Sequence, residues 1–324
     1  MLARRSLLLA PLLAPLGARA QEGRAWPSRP VRIVIAYPPG GSTDVLARAL
    51  AEKLAEAFPG SSFVVENRPG GAAVVGTQAV AQAAPDGHTL ALGNNQTHAA
   101  NAAMIRDLPY RPVGDFAAIG RLAEVHHALV VPATSPARSL AELAARGKGG
   151  GRLTYASSGV GSASHVIAES FVRREGLNAT HVPYRGGAQA TTDTVAGVVD
   201  FFVSTWPQVV GLVKDGRLRC LGIGAPQRLA ELPEVPTFAE AGAPELAVDA
   251  WFGLWAPAHT PATVIERLSA ALPPILTAPE MQARLQRMGF AAAPMPAGPF
   301  AEFQRAEVAR WRALVDLTGI RIEG

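Results

Sequence analysis

The chain has 324 residues, of which 48% are hydrophobic and 17% charged, with a formal net charge of +4 and a single cysteine. This length suffices for two domains with separate cores, the apolar content excludes a disordered chain, and the cysteine count excludes a small disulfide-stapled fold. A polytopic membrane protein is also excluded, because no apolar run reaches the roughly 20 residues that a spanning helix needs.

Residues 1–20 predict a secretory signal peptide. Arg4 and Arg5 precede an apolar stretch at 7–16, and a small-residue cleavage site follows at 18–20. Cleavage there removes three arginines and no acid, so the 30 cationic residues fall to 27 against 26 acidic ones. The charge therefore gives no sign of a nucleic-acid partner. We expect a periplasmic protein, exported by the Sec or the twin-arginine route.

The first predicted unit is a strand, a glycine-rich turn and a helix. A run rich in β-branched residues at 31–36 predicts the strand, and the prolines and glycines at 38–41 break it. Residues 42–44 suit a helix N-terminus, because Ser, Thr and Asp are capping residues and an apolar stripe at helical spacing follows. Further strands are predicted at 63–65 and 89–92.

The same pattern recurs in the second half of the chain. A strand at 153–156 is broken by a glycine-rich turn at 157–161, and Ser162 and Ser164 suit the cap of another helix. Strands that alternate with helices favour an α/β fold. We predict a two-lobed protein, in which each lobe is a mainly parallel sheet flanked by helices and one ligand cleft lies between the lobes.

Both turns are candidate anion sites. We call residues 38–44 the first glycine loop and residues 157–162 the second glycine loop. The first amides of a helix have no intrahelical acceptor and the helix N-terminus carries partial positive charge, while glycine lets a ligand approach closely. A purely steric role for the glycines of either loop stays open, but two corresponding loops favour ligand binding.

The sequence motifs of dinucleotide-binding proteins and of hydrolases are incomplete in this chain. The segment at 159–164 begins like a dinucleotide fingerprint but lacks the third glycine, and the segment at 40–44 lacks the final glycine of a nucleophile elbow. An exported α/β hydrolase that uses Ser42 or Ser158 remains an alternative, although no Ser-His-Asp order is legible. Histidine and cysteine spacing predicts no metal site, and we expect no cofactor.

Some residues have two interpretations. His98 and His165 follow polar loops, where each either donates a hydrogen bond to a ligand or orients its own loop. Trp251 lies in an aromatic run that is either a buried strand or an apolar wall of the cleft. Cys220 sits among apolar residues, which predicts a buried structural thiol.

Nearly the whole mature chain resembles one family. The motifs that carry the resemblance are WPSRPVR at 26–32, PPGGSTD at 38–44, VENRPGG at 65–71, PDGHTL at 85–90, YASSGVGSASH at 155–165, HVPYRG at 181–186 and WFGL at 251–254. In this order and spacing they resemble the Bug-type extracytoplasmic solute receptors of tripartite tricarboxylate transporters.

The resemblance implies a type II periplasmic-binding-protein fold that serves a membrane permease and binds a small carboxylate as a monomer. Residues 21–120 and 250–324 would form lobe 1 and residues 121–249 lobe 2, with crossings near Gly120 and Asp249. The implied ligand-binding residues are Pro39, Gly40, Gly41, Ser42, Thr43, Asp44, Asn95, Thr97, Ser157, Ser158, Gly161, Ser162, His165, Arg185, Ser204 and Trp251. A Gly161→Val substitution is then expected to block the cleft with little loss of fold.

One departure bears on the ligand. Family members that take amino acids tend to carry an acidic residue where this chain has Ser204, at the end of a predicted strand. No carboxylate would then meet a substrate ammonium, so we expect a carboxylate ligand without an α-amino group. A receptor that reports to a signalling partner rather than to a permease is a further alternative.

Overall fold

The computed structural model describes residues 26–184 and 186–322, so the predicted signal peptide and Arg185 lie outside it. Two β-sheets organise this part of the chain, one in each lobe. The six-stranded sheet of lobe 1 has the order β11-β4-β10-β3-β1-β2, and the five-stranded sheet of lobe 2 has the order β7-β6-β8-β5-β9.

Lobe 1 contains both ends of the described chain. Its elements are β1 (Val31–Ile35), α1 (Ser42–Ala57), β2 (Phe63–Asn67), α2 (Val74–Ala81), β3 (Thr89–Asn94), a π-helical turn (Gln96–Ala100), α3 (Asn101–Met104), β4 (Phe116–Val125), β10 (Ala250–Pro257), α8 (Ala262–Thr277), α9 (Pro279–Arg287), β11 (Ala291–Pro296) and α10 (Ala297–Thr318). The β-branched residues of β1 and the apolar stripe of α1 pack together, so that Ile33 and Leu50 are fully buried.

Lobe 2 is a continuous insertion. Its elements are β5 (His127–Pro132), α4 (Leu140–Lys148), β6 (Leu153–Ser157), α5 (Ala163–Glu175), β7 (Ala179–Pro183), α6 (Gly187–Val195), β8 (Phe201–Thr205), α7 (Trp206–Lys214), β9 (Leu218–Ile223) and a 3-10 turn (Pro244–Leu246). Cys220 is a buried free thiol on β9, as its apolar surroundings predicted, and burial raises its pKa to about 12.

The sheets are mixed, so the prediction of mainly parallel sheets is wrong. The strands around the glycine loops are parallel: β1 pairs with β2 and β3, and β6 pairs with β7 and β8. The strands that enter from or return to the other lobe run antiparallel to their neighbours. A chain that leaves a sheet at one end of its strands and re-enters at that same end must run in the opposite direction.

The chain crosses between the lobes at His126 and Asp249. Strand β4 remains paired in lobe 1 up to Val125, opposite Ala250, and β5 begins in lobe 2 at His127. Residues 121–125 therefore belong to lobe 1, and the boundary predicted near Gly120 moves to His126. The two crossings touch, because His126 Nδ1 lies 2.9 Å from Asp249 Oδ1. Burial opposes protonation of His126, but Asp249 outweighs it and raises the His126 pKa.

The long helix α10 contacts both lobes and passes beside the second crossing, where Arg310 donates to the Ala247 carbonyl oxygen at 2.7 Å. It packs against β4 and α3 in lobe 1 and against α5 in lobe 2. One apolar cluster accordingly runs through both lobes, with Trp311 and Val315 of α10 and Phe171 of α5 among its buried members. Within the described ranges, every helix falls short of the length and apolar character that crossing a bilayer demands.

Candidate functional site

Both glycine loops follow strands whose carboxyl ends lie on the side of the sheet where the chain crosses between the lobes. In lobe 1, the last residue of β3, Asn94, pairs with Phe252 near the start of β10. In lobe 2, the last residue of β8, Thr205, pairs with His127 at the start of β5. Because β1 runs parallel to β3 and β6 parallel to β8, the loops that follow β1 and β6 open toward the space between the lobes.

The first glycine loop presents an uncapped helix N-terminus. Gly41 is the N-cap of α1 and provides no side chain to bond the free amides of the first turn. Pro39, Gly40, Gly41 and Ser42 are exposed, and a Cβ added to Gly40 would meet nothing within 4 Å. Free amides, partial positive charge and open access are the features that anion binding at a helix N-terminus requires.

Asp44 shapes this loop from the inside. Its carboxylate accepts hydrogen bonds from the Gly40 amide (2.9 Å), from Arg48 (2.9 and 3.0 Å) and from Asn67 Nδ2 (3.0 Å). Burial opposes ionisation of Asp44, but these donors outweigh it and hold its pKa below the usual range. Thr43 and Asp44 are each only 3% exposed, so their side chains are directed inward and only their backbone amides, in the first turn of α1, face the loop.

The polar segment after β3 is also directed inward. Thr97 is 1% exposed, and its hydroxyl accepts from the Asn94 amide and donates to the Asn94 carbonyl oxygen. Asn95 is 3% exposed, and its Nδ2 meets no acceptor among residues 26–184 and 186–322. Thr97 is therefore bonded within its own segment, while the ligand contact of Asn95 stays a prediction. Tyr37 donates to Asn94 Oδ1 at 2.9 Å, a contact that the sequence did not indicate.

His98 belongs to the core of lobe 1. It is fully buried, its ring stacks on Trp255 at 3.6 Å, and its Nδ1 lies 2.9 Å from Thr97 Oγ1. Burial lowers its pKa to about 3. Of its two interpretations, the structure therefore favours the orientation of its own loop.

The second glycine loop is held by hydrogen bonds within itself. Ser157 is fully buried, and its hydroxyl accepts from the Gly159 amide at 3.2 Å, which corrects the prediction that it contacts a ligand. Val160 forms the tip and is 50% exposed. Gly161 has a φ of +74°, a left-handed conformation that favours glycine. A Cβ there would clash with Ile322 of the C-terminal segment.

Three serines meet at the start of α5. Ser164 Oγ accepts from the Ser158 amide at 2.9 Å and lies 3.1 Å from Ser158 Oγ and 3.0 Å from Ser162 Oγ. Ser162 is the N-cap, and its hydroxyl accepts from the His165 amide. Ser158 and Ser162 are partly exposed, so their hydroxyls border the cleft beside the free amides of α5.

His165 is directed toward its own loop, since its Nδ1 accepts from the Gly161 amide at 3.2 Å. Sequence reasoning did not select His181, yet its imidazole ring stacks on that of His165 with centroids 3.7 Å apart. His181 comes into place only through the pairing of β6 with β7, which sets it opposite Tyr155.

The end of β8 faces α6. Ser204 is 1% exposed and donates to Gln208 Oε1 at 3.2 Å. Gln208 is exposed and its carboxamide packs against Gly187 at the start of α6. The sequence did not indicate Gln208, whereas the structure places it between buried Ser204 and solvent.

Trp251 is a core residue, and its prediction as a cleft wall is wrong. Its ring packs against Phe300 and Phe303 of α10, and its Nε1 donates to Glu307 at 2.7 Å. Trp251 is 1% exposed and the neighbouring Phe252 is 2% exposed. The run at 251–255 is a buried strand because α10 covers it.

A second opening between the lobes lies elsewhere. It is a groove of about 880 Å³ at the β11 edge of lobe 1, lined by residues such as His126, Trp206, Glu231, Gln286 and Arg287. The first glycine loop follows β1, near the opposite edge of the same sheet. The groove contains no residue of either glycine loop.

Two α/β lobes with a double crossing, and a helix N-terminus presented by each lobe, define the class of two-lobed solute-binding proteins. Within that class, the family model described as "Tripartite tricarboxylate transporter family receptor" matches residues 46–320. The chain therefore belongs to this receptor family. The resemblance seen in its motifs and the two-lobed α/β fold are both confirmed.

Individual relatives agree with this assignment. Protein BugT of Bordetella pertussis is 33% identical over 302 residues, which is 92% of each chain. An R. palustris protein solved with adipate is 32% identical, with a TM-score of 0.83 over 91% of this chain and 99% of that one. MatC from Rhodopseudomonas palustris, solved with malate, is 32% identical, with a TM-score of 0.79 over 90% and 100% of the two chains.

Proposed function

We propose that this receptor captures a small carboxylate without an α-amino group in the cleft between its lobes and delivers it to a tripartite tricarboxylate-type permease. The observation that carries the proposal is the uncapped N-terminus of α1, with exposed Gly40, Gly41 and Ser42 around its free amides. The relatives solved with adipate and malate support a carboxylate as the ligand.

The charges beside the loops favour a ligand without an ammonium group. The carboxylate of Asp44 is occupied by Arg48 and Asn67. At the end of β8, Ser204 offers a hydroxyl bonded to Gln208 instead of a carboxylate. A substrate ammonium would lose its hydration without gaining an ion pair there, and that loss costs binding free energy.

Closure follows from the same geometry. A ligand that bonds the amides of α1 in lobe 1 and the hydroxyls at the start of α5 in lobe 2 makes its full set of contacts only when both lobes touch it. Such differential contacts shift the equilibrium toward the closed state, which a permease would recognise. We propose that the protein works as a periplasmic monomer, after export by the Sec or twin-arginine route, and without catalysis.

No observation favours the hydrolase. Ser157 lies 2.6 Å from His181 Nε2, but Ser157 is fully buried and cannot reach a substrate. Within the described ranges, Ser42 and Ser158 make no hydrogen bond to an imidazole; Ser158 bonds Ser164 instead.

The test is a thermal-shift screen of refolded, ligand-stripped protein against malate, succinate, adipate, glutamate and aspartate. A ligand at 100 times its Kd adds about 2.7 kcal/mol to the free energy of unfolding, which raises the Tm by several degrees. We expect dose-dependent shifts with the acids that lack an amino group. Larger shifts with glutamate or aspartate than with their desamino analogues would contradict the proposed ligand class.

A pair of variants at one position tests the site itself. Ser42→Pro removes one amide donor from the first turn of α1, where proline is well tolerated. Ser42→Ala keeps the amide and removes only the hydroxyl. We expect Ser42→Pro to weaken carboxylate binding at least tenfold with little change in Tm, and Ser42→Ala to weaken it less. Equal affinity of Ser42→Pro and the wild type would remove α1 from the site.

A further inference from the structure

Two imidazoles stack behind the second glycine loop. His165 lies in the first turn of α5 and His181 on β7, with ring centroids 3.7 Å apart and planes 9° from parallel. The Tyr155 ring continues the stack, 5.0 Å from His181. Both histidines are partly or fully removed from solvent, so the stack supports the loop from beneath.

Each ring holds one end of the loop. At the first end, His181 Nε2 lies 2.6 Å from Ser157 Oγ, which also accepts from the Gly159 amide. At the other end, the Gly161 amide donates to His165 Nδ1. The stacked pair therefore sets the position of the exposed loop tip between these two attachments.

We propose that His165 and His181 are positioning residues: as neutral stacked rings they hold the second glycine loop in the conformation that binds a carboxylate, and protonation of the pair releases it. This inference rests on the proposed function, in which the second glycine loop contacts the ligand. Neither imidazole needs to touch that ligand.

The geometry requires neutral rings. His165 Nδ1 accepts a hydrogen bond, so protonation at that atom would break the bond to Gly161. Two charged rings at stacking distance would also repel each other. Burial lowers the pKa of His165 to about 4, with a further contribution from His181, and burial lowers the pKa of His181 as well.

Among the described residues, the carboxylate that acts on both rings is itself paired. Glu169, one turn further along α5, favours protonation of both rings. Its carboxylate accepts from the Tyr155 hydroxyl of β6 and from Arg173 Nε. On the side of lobe 1, the neighbours of Gly161 are the apolar side chains of Met104 and Ile322.

The binding test compares His165→Phe and His181→Phe with the wild type, using malate and adipate as probes from pH 7.5 to 4.0. Phenylalanine keeps the stack and removes the hydrogen bond, and His259→Asn removes an exposed histidine of lobe 1 as a control. The ionisation of the probe is common to all proteins, so it cancels from the ratio of their Kd values.

We expect each phenylalanine variant to bind about tenfold more weakly than the wild type at pH 7.5, while His259→Asn binds normally. The advantage of the wild type over His165→Phe should shrink at least twofold by pH 4.0. A constant ratio would overturn the proposal. So would a ratio that grows on acidification, because a charged His165 would then be contacting the probe directly.

A second measurement does not depend on binding. In 15N NMR spectra of the wild type, His165 should show an unprotonated Nδ1 at neutral pH, and the Gly161 amide should titrate together with that ring. A protonated Nδ1, or a Gly161 amide that ignores the titration, would overturn the positioning role. If the wild type binds no carboxylate, the proposed function fails, and these spectra still decide whether the imidazoles hold the loop.

Discussion

Replacing Gly161 with alanine should destabilise the fold by about 2–4 kcal/mol. The left-handed φ of +74° costs an alanine about 1 kcal/mol relative to glycine. The new Cβ would also clash with Ile322 Cδ1 and lie 3.0 Å from its Cγ1 and 3.2 Å from Met104 Sδ. Overpacking of this kind costs about 1–3 kcal/mol.

The steric part arises because the C-terminal segment is anchored. The Ile322 amide donates to the Met104 carbonyl oxygen at 3.0 Å, and Ile322 forms a β-bridge with Ile105. Ile322 can therefore move its side chain but not its backbone without losing this pairing. The expectation that Gly161→Val blocks the cleft with little loss of fold does not take this contact into account.

Urea unfolding of four proteins separates the two costs: the wild type, Gly161→Ala, Ile322→Ala and the double variant. Ile322→Ala should relieve the clash, so we expect a favourable coupling of about 1–2 kcal/mol in the double-mutant cycle. Gly176→Ala is the matched control, because Gly176 has a φ of +63° and open space around it. If Gly161→Ala costs no more than Gly176→Ala, or if the cycle shows no coupling, the reasoning is refuted.

Three further predictions concern stability and reactivity. Ala73→Gly should raise the free energy of unfolding by about 0.5–1 kcal/mol, because Ala73 has a φ of +68°; an unchanged or lower value in urea would contradict this. Stability should fall as the pH drops from about 6.5 toward 3, because the unfolded chain binds a proton that buried His98 does not. Urea unfolding should show this slope reduced by about 1.4 kcal/mol per pH unit in His98→Phe, and an equal slope would refute it. Cys220 should resist iodoacetamide at pH 8 until urea unfolds the chain; rapid labelling of the folded protein would show that it is accessible.

Local chemistry accounts for what could be predicted from the sequence. The strand, turn and helix around the first glycine loop follow from neighbouring residues, and so does the cap at Ser162. The resemblance assigned Asp44 to the ligand, whereas the local sequence shows only that Asp44 lies at the start of a helix. Whether it faces outward depends on Asn67, which comes from the next strand and supplies one of its donors.

The crossing between the lobes shows a second limit on what can be predicted from the sequence. The resemblance implied a crossing near Gly120, yet Gly120 lies within β4. A Cβ there would come within 2.7 Å of Leu272 Cδ1 and 3.0 Å of the Met295 carbonyl oxygen, so this position of the strand needs a glycine. The glycine makes room for α8 and β11, which follow far along the chain. His181 illustrates the same point, since strand register alone brings it beside His165.

The contact between the two crossings limits how the lobes can move. With His126 and Asp249 bonded to each other, the paired connections act as one pivot, about which the lobes could both bend and twist. Helix α10 packs against β4 and α3 of lobe 1 and against α5 of lobe 2, and this contact with both lobes restrains the twist. One direction of opening is left, so the two helix N-termini should return to the same separation at every closure. The protein would then select its ligand by length as well as by charge.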